Sequence, residues 1–278
     1  MKPVITLGPV ELSSYALMLS VGGSVGFWLT WREIQRKRLD PGPMLALAVL
    51  AFLAALIGAR GLSVLIHASL YADEPWWSLL AVWDRGGMAM YGGLLLAAAA
   101  GLGYVRLRRL RAWDAADTLV VAWVPLIFFL RIGCFLNGCC YGRPTTSILG
   151  LVAGGAPNNV NFGIRSYPAQ LYDAAAALAV FVLLWWMRTR RRFEGQLAVV
   201  FLALYPAWRI FHETLRGDPW IAFRFGRLGV LTLNQLISVV LVAFALGAGL
   251  VLYAGGAFGP DRRRSRSEST PATPSGSE

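Results

Sequence analysis

The chain has 278 residues, 56% of them hydrophobic and 15% charged, with a mean hydropathy of +0.55. This excludes an ordinary soluble domain of that length, because apolar runs recur at membrane-spanning length. The net charge of +11 sits in short clusters between those runs, which marks membrane topology and not a nucleic-acid groove. His67 and His212 are the only histidines, so a histidine-rich metal site is excluded, and three cysteines make no disulfide scaffold.

Residues 1–11 form a short lead with Lys2 and Glu11. The first apolar run, 12–31, carries its basic cluster (Arg32, Arg36, Lys37, Arg38) after it. A cleaved signal peptide has the opposite order and a small-residue cleavage site, so this run predicts a retained helix with its N-terminus outside. Pro41-Gly42-Pro43 breaks the chain, and 44–66 predicts a second helix carrying Arg60 in its outer third. A loop rich in interfacial aromatics follows: Tyr71, Trp76, Trp77 and Trp83.

A third helix is predicted from Gly86-Gly87 through Tyr91, Gly92, Gly93 and the small-residue run 97–101, ending at Arg106, Arg108, Arg109 and Arg111. Small residues let helices approach closely in lipid, which makes this a packing helix. A fourth helix runs from about Asp117 into the polar stretch 130–145. Residues 143–168 are too polar to span.

A fifth helix covers 170–187 and closes on Arg188, Arg190, Arg191 and Arg192. A sixth covers 196–211 and continues through Arg216, and a seventh covers 233–253. From Asp261 the tail is basic and then Ser/Thr/Pro-rich, a composition that cannot build a core and reads as disordered. The chain therefore divides into a membrane domain, 1–260, and a tail, 261–278. The loops after helices one, three, five and seven hold the tight basic clusters. By the positive-inside rule, this predicts an all-α polytopic membrane protein of seven transmembrane helices, N-terminus outside and C-terminus cytoplasmic.

That orientation sends the polar stretch 130–145 to the outer face. From Thr118 to Arg131 a helix rises ~20 Å, which leaves Arg131 within hydrocarbon depth. An intramembrane arginine is costly and marks a functional site by default. Arg60, Arg131, Arg143, Arg209 and Arg216 all fall on the outer half or face. The guanidinium fork matches phosphate oxygens two at a time, so arginines converging from three helices predict a phospholipid-headgroup site. The bland alternative is a set of interface anchors or mutually paired charges. Arg209, His212, Glu213 and Arg216 are spaced i, i+3, i+4, i+7, which predicts one helical face.

The three cysteines, Cys134, Cys139 and Cys140, all lie in this stretch. The spacing C-x4-C-C is not a familiar zinc pattern, and no metal or cofactor is predicted from it. Three readings stay open for them: small apolar filler, a disulfide at the outer face, or a thiolate beside Arg131.

Several segments together resemble the prolipoprotein diacylglyceryl transferases. Residues 131–143, RIGCFLNGCCYGR, look like the family signature GRxGNFxNxExxG, and 88–94, MAMYGGL, look like its HGGL element. Residues 167–173, YPAQLYD, are similar to HPSQLYE, and 205–216 to YxxxRFxxExxR. Residues 231–235, LTLNQ, look like LTxGQ, and Tyr15 falls where the family keeps a first-helix tyrosine. These elements run in family order from about Tyr15 to Tyr253.

The resemblance implies a seven-helix, N-out fold in the bacterial cytoplasmic (inner) membrane. It implies transfer of the diacylglyceryl group of phosphatidylglycerol to the lipobox cysteine thiol of a preprolipoprotein signal peptide, with no nucleic-acid partner. It also implies Arg131 and Arg209 as catalytic residues, with Tyr91 standing in the catalytic place of the family's histidine, and Tyr15, Asn137, Gly142, Tyr205, Glu213 and Arg216 binding substrate; Arg60 and Arg143 join the substrate-binding set as arginines of the outer half. The family's histidine is Tyr91 here, and the signature's first glycine, first asparagine and glutamate are Leu130, Cys134 and Cys139. Tyrosine is a poor base at a reference pKa near ~10, so the reading asks neighbouring arginines to orient or acidify Tyr91, with His212 as the substitute. Two other readings stand beside it: a diverged paralogue serving another acceptor, and a non-catalytic lipid-binding or transport protein.

Overall fold

A computed structural model describes residues 4–7, 10–66, 68, 75, 89–152, 163–217, 222–224 and 230–254. The aromatic loop (Tyr71, Trp76, Trp77, Trp83), Gly86-Gly87, His67 and the tail from 261 lie outside these residues.

Among the described residues there are seven α-helices: α1 (Ser14–Lys37), α2 (Pro41–Ile66), α3 (Met90–Leu107), α4 (Ala112–Asn137), α5 (Ala169–Met187), α6 (Gln196–His212) and α7 (Leu233–Ala254). Four have spans long and apolar enough to cross a membrane: Pro41–Ile66, Ala112–Asn137, Ala169–Met187 and Leu233–Leu252. The molecule is an all-α membrane protein. The described residues also form three short antiparallel ribbons: β1 (Val4–Leu7) with β2 (Val10–Ser13), β3 (Leu151–Val152) with β4 (Arg165–Ser166), and β5 (Ala222–Arg224) with β6 (Val230–Thr232). The sequence did not announce them. They pair backbone groups that lie outside the helices and still need partners.

Glycine contacts set two helix pairs. Gly58 of α2 and Gly92 of α3 meet backbone to backbone, so a Cβ on either would collide with the other's carbonyl oxygen, and Gly93 faces the Ala55 carbonyl in the same way. The close approach of α3 thus falls at Gly92 and Gly93. The run 97–101, where the composition suggested it, is half-buried or exposed. On the other side Gly22 and Gly26 of α1 admit Leu126 and Trp123 of α4.

The basic end of the bundle is tied by buried ion pairs. Lys37 and Arg191 both reach Asp114, at 3.2 and 3.0 Å, and Arg188 reaches Glu33 at 2.6 Å. Asp117 accepts from Arg191 and from the Gly195 and Ala198 amides that open α6. The ends of α1 and α5 and the starts of α4 and α6 are therefore held together. Arg131 lies 17 residues along α4 from Asp114, ~26 Å away at helical rise, so the polar stretch occupies the opposite end.

Candidate functional site: an arginine–carboxylate node and a thiol cluster

α4 ends in a Schellman turn. Gly138 is left-handed at φ 79°, its amide donates to the Phe135 carbonyl, and the Cys139 amide donates back to Cys134 at 3.2 Å. The chain then runs extended between two neighbours. Gly142 pairs with Arg216, with the Arg143 amide on the Leu215 carbonyl (2.9 Å) and the Gly217 amide on Tyr141 (3.0 Å). On the other side the Tyr167 amide donates to Arg143. Gly142 is buried against the Tyr167 carbonyl so closely that no Cβ fits.

At the centre is Asp173 of α5, with no exposed surface. Its Oδ2 accepts from Arg131 Nε at 2.7 Å, Arg209 Nη1 at 3.0 Å and the Tyr205 hydroxyl at 3.4 Å, while Oδ1 accepts from Trp208 Nε1 at 2.9 Å. Glu213 forms the second carboxylate, with Arg209 Nη2 at 3.3 Å and Arg216 Nε at 3.9 Å, and it accepts from Asn234 Nδ2 at 2.7 Å. These five ionised groups, three guanidiniums and two carboxylates, carry one positive charge in excess. The Nε of Arg209 is buried and has no hydrogen-bond partner among the described residues.

The single-face reading of 209–216 changes in detail. α6 stops at His212, Glu213–Leu215 is a 3-10 turn, and Arg216 is extended at φ −75°, ψ 146°. The pairing of Arg216 with Gly142 draws the chain out of the helix, and the tighter turn still brings Arg209, Glu213 and Arg216 together.

Tyr91 opens α3, and its hydroxyl donates to the Asn234 carbonyl at 3.3 Å. It stands one residue removed from Glu213 and lies in the field of Arg209 and Arg216. The same hydroxyl also bonds the Ser238 side chain, whose own hydroxyl donates to the Asn234 carbonyl at 2.7 Å. His212 is not a free base. Its Nδ1 accepts from Arg209 Nη1 at 2.7 Å and its Nε2 donates to the Ala169 carbonyl at 2.8 Å, so the neutral ring is spoken for at both nitrogens.

The remaining predicted residues divide. Tyr15 packs at Gly133 of α4, within electrostatic range of Arg131 and the cysteines. The Asn137 side chain contacts the Cys139 thiol. Tyr205 is buried on the Asp173 node. Arg60 is buried on α2, next to the Ala59 carbonyl that accepts from the Ala89 amide at 2.9 Å. Arg143 stands apart: it is exposed, with its guanidinium 5.9 Å from the Tyr167 ring centroid.

Asp173, Trp208 and Asn234 were missed as site residues. A carboxylate inside an Ala-rich apolar helix was the available signal, since such a charge needs a buried partner. The three thiols are reduced, and their sulfurs lie within 4.8 Å of one another.

Comparisons with known proteins agree on one family. The profile of the prolipoprotein diacylglyceryl transferases matches residues 2–253. Among curated proteins the chain is 33% identical over 240 residues to a phosphatidylglycerol–prolipoprotein diacylglyceryl transferase of Chromohalobacter salexigens, covering 84% of this chain and 86% of that one. It is 30% identical over 265 residues to the protein of that name from Nitratidesulfovibrio vulgaris strain Miyazaki F (93% and 96% covered). It is 28% identical over 240 residues to that of Clostridioides difficile (86% and 90%).

Proposed function

The chain belongs to the prolipoprotein diacylglyceryl transferase family, and on that premise we propose that it moves the diacylglyceryl group of phosphatidylglycerol onto the lipobox cysteine thiol of a preprolipoprotein. The observation that carries this reading is the unpartnered, buried Nε of Arg209 inside a node with one excess positive charge. A phosphodiester monoanion complements both the charge and the spare donor. Sulfur attack on the glyceryl carbon breaks the C–O bond, and negative charge accumulates on the departing glycerol phosphate. Guanidiniums already fixed by Asp173 and Glu213 stabilise that charge without reorganising.

In this proposal Arg131 and Arg209 are the catalytic phosphate ligands, with Arg216 and Glu213 completing the node and Tyr205 bracing Asp173. Arg60, Arg143, Tyr15, Asn137 and Gly142 line the approach of lipid and peptide. Tyr91 is a positioning residue acting through Asn234.

The proposed setting is the bacterial cytoplasmic membrane. Residues 1–260 form one seven-span domain, N-terminus outside, with a disordered cytoplasmic tail from 261. The gathering of Arg36, Lys37, Arg188 and Arg191 at one end of the bundle supports that orientation. Tyr91 and Cys139 in place of the family's histidine and glutamate favour, as a second reading, a paralogue with another acceptor.

Expression in a strain depleted of its own transferase is the test. Growth rescue is the expected result. Phosphatidylglycerol turnover without rescue would favour the second reading, and neither would end both.

A further inference from the structure

The reaction proposed above is an S-alkylation, and it needs a thiolate. Neither side chain offered by the sequence as a base stands free to supply one: the Tyr91 hydroxyl bonds the Asn234 carbonyl and the Ser238 side chain, and His212 is bonded through both nitrogens. The same end of α4 carries a feature the node does not use. Cys134 is buried on the last turn, and Cys139 and Cys140 are half-buried just beyond it, with all three sulfurs within 4.8 Å of one another.

The fold builds this cluster deliberately. The Schellman turn at Gly138 doubles Cys139 back over Cys134, and Gln170 Nε2 of α5 fixes the returning chain by donating to the Cys139 carbonyl at 2.7 Å. Cys140 then adopts φ 58°, one of only three positive-φ non-glycine residues in the described chain. A left-handed cysteine is a strained choice where glycine would do, and such strain persists at sites that use it. Apolar filler explains a buried Cys134. It does not explain a half-buried Cys140 held in the left-handed region.

We propose that Cys134, Cys139 and Cys140 bind one zinc ion whose fourth position takes the acceptor cysteine thiol. Zinc–sulfur bonds of ~2.3 Å place the sulfurs of a tetrahedral centre ~3.8 Å apart, so the cluster contracts by at most ~1 Å. An all-thiolate set selects a soft or borderline ion over magnesium or calcium. Three protein ligands with one open position is the arrangement of a catalytic zinc site, whereas structural sites are closed by four.

Coordination makes a thiolate at neutral pH without a strong base. Three thiolates on Zn²⁺ carry a net charge of −1, and the acceptor sulfur brings it to −2. Arg131 and Arg216 lie in the field of the cluster and offset that charge. Arg131 also pairs with Asp173, so the activated sulfur and the phosphate site share a residue.

The step balances. The acceptor thiol releases its proton to water on coordination. Its sulfur forms the S–C bond to the glyceryl carbon, the C–O bond breaks, and the electron pair leaves on the phosphate oxygen as glycerol phosphate. The neutral thioether is a weak ligand and departs.

This inference rests on the transfer reading, and the experiment separates the two. The full chain, purified in detergent micelles, reduced and stripped with chelator, is titrated with zinc alone against a competing chromophoric chelator. Cobalt(II) is then used as a spectroscopic substitute. One zinc per chain is expected, together with sulfur-to-cobalt charge-transfer bands. A lipobox peptide should shift the cobalt spectrum, and its cysteine-to-serine counterpart should not.

Cys140→Gly is the decisive variant, because glycine accepts the left-handed backbone freely and the chain should fold at least as well. It should bind zinc at least ~100-fold more weakly, having lost a thiolate ligand. The proposal is overturned by a reduced wild type that binds no zinc, by unchanged affinity in Cys140→Gly, or by a cobalt spectrum indifferent to the peptide thiol. Transfer that persists in chelated wild type overturns it while the transfer reading stands. Zinc and peptide-thiol binding without any transfer supports the metal site and sinks the transfer reading.

Discussion

Replacing Asp173 by asparagine removes one charge and almost no volume from the centre of the node. In the native protein that carboxylate accepts from Arg131, Arg209, Trp208 and Tyr205 and has no exposed surface. A hydrogen bond to a charged group contributes ~1.5–3 kcal/mol and a neutral one ~0.5–1.5 kcal/mol. The four are not additive, because breaking a buried pair by removing one partner costs ~3–5 kcal/mol in total, mostly from the uncompensated charge left behind. Asparagine also turns an NH2 group toward one of the four donors, so at least one bond becomes a donor–donor contact.

At ~2–4 °C per kcal/mol the melting temperature in detergent should fall by about 6–20 °C. Asp173→Glu keeps the charge but must place an extra methylene in a closed site, and it should cost less than asparagine. The assay is thermal unfolding of the three proteins in one detergent, followed by a cycle with Arg209→Ala. The double variant should be less destabilised than the sum of the singles, since each removes the other's partner. An asparagine variant that melts within ~2 °C of wild type, or strict additivity in the cycle, would refute the account of Asp173 as the counter-ion of both arginines.

Four further outcomes are expected. Alanine at Arg131 or Arg209 should weaken phosphatidylglycerol binding roughly 10- to 100-fold, with lysine rescuing only partly because it lacks the fork, as read by lipid binding in micelles. Gly142→Ala should cost ~1–3 kcal/mol and most of the transfer activity, since its Cβ meets the Tyr167 carbonyl; near-native melting would contradict the packing described. Tyr91→Phe should lower activity less than ~10-fold with an unaltered pH profile, losing one bond to the Asn234 carbonyl, and a collapse of the alkaline limb would restore Tyr91 as the base. Reporter fusions should read cytoplasmic at 32–43, 106–116 and 188–195, and external at 143–168.

Much was legible in the residues themselves. Apolar runs between basic clusters placed most helix ends to within three residues, because in lipid a span must satisfy its own backbone, and the length and composition of a run decide whether it can; α1 nonetheless runs six residues past the predicted end at 31, and α4 begins five before Asp117. Arg131, Arg209 and Glu213 could be singled out because a charge in such a run is expensive wherever the neighbours lie. The partners of those charges were not legible. Asp173 is one acid in an Ala-rich helix 42 residues from Arg131 and 36 from Arg209, and only the packing of α4, α5 and α6 puts it between them.

The same divide separates the cysteines from their cluster. C-x4-C-C is no metal spacing along an extended or helical chain. Gly138 made a helix end at that point foreseeable, but the left-handed turn at Cys140 and the hold of Gln170 on the Cys139 carbonyl come from tertiary contacts. Local sequence determines which segments are helical because those hydrogen bonds close within a few residues. Which polar groups meet depends on helices that pair across the bundle through Gly58 and Gly92 and through Gly22 and Leu126, and on the extended stretch that Gly142 lays against Tyr167, contacts whose partners are far apart in the chain and are fixed only when the backbones touch.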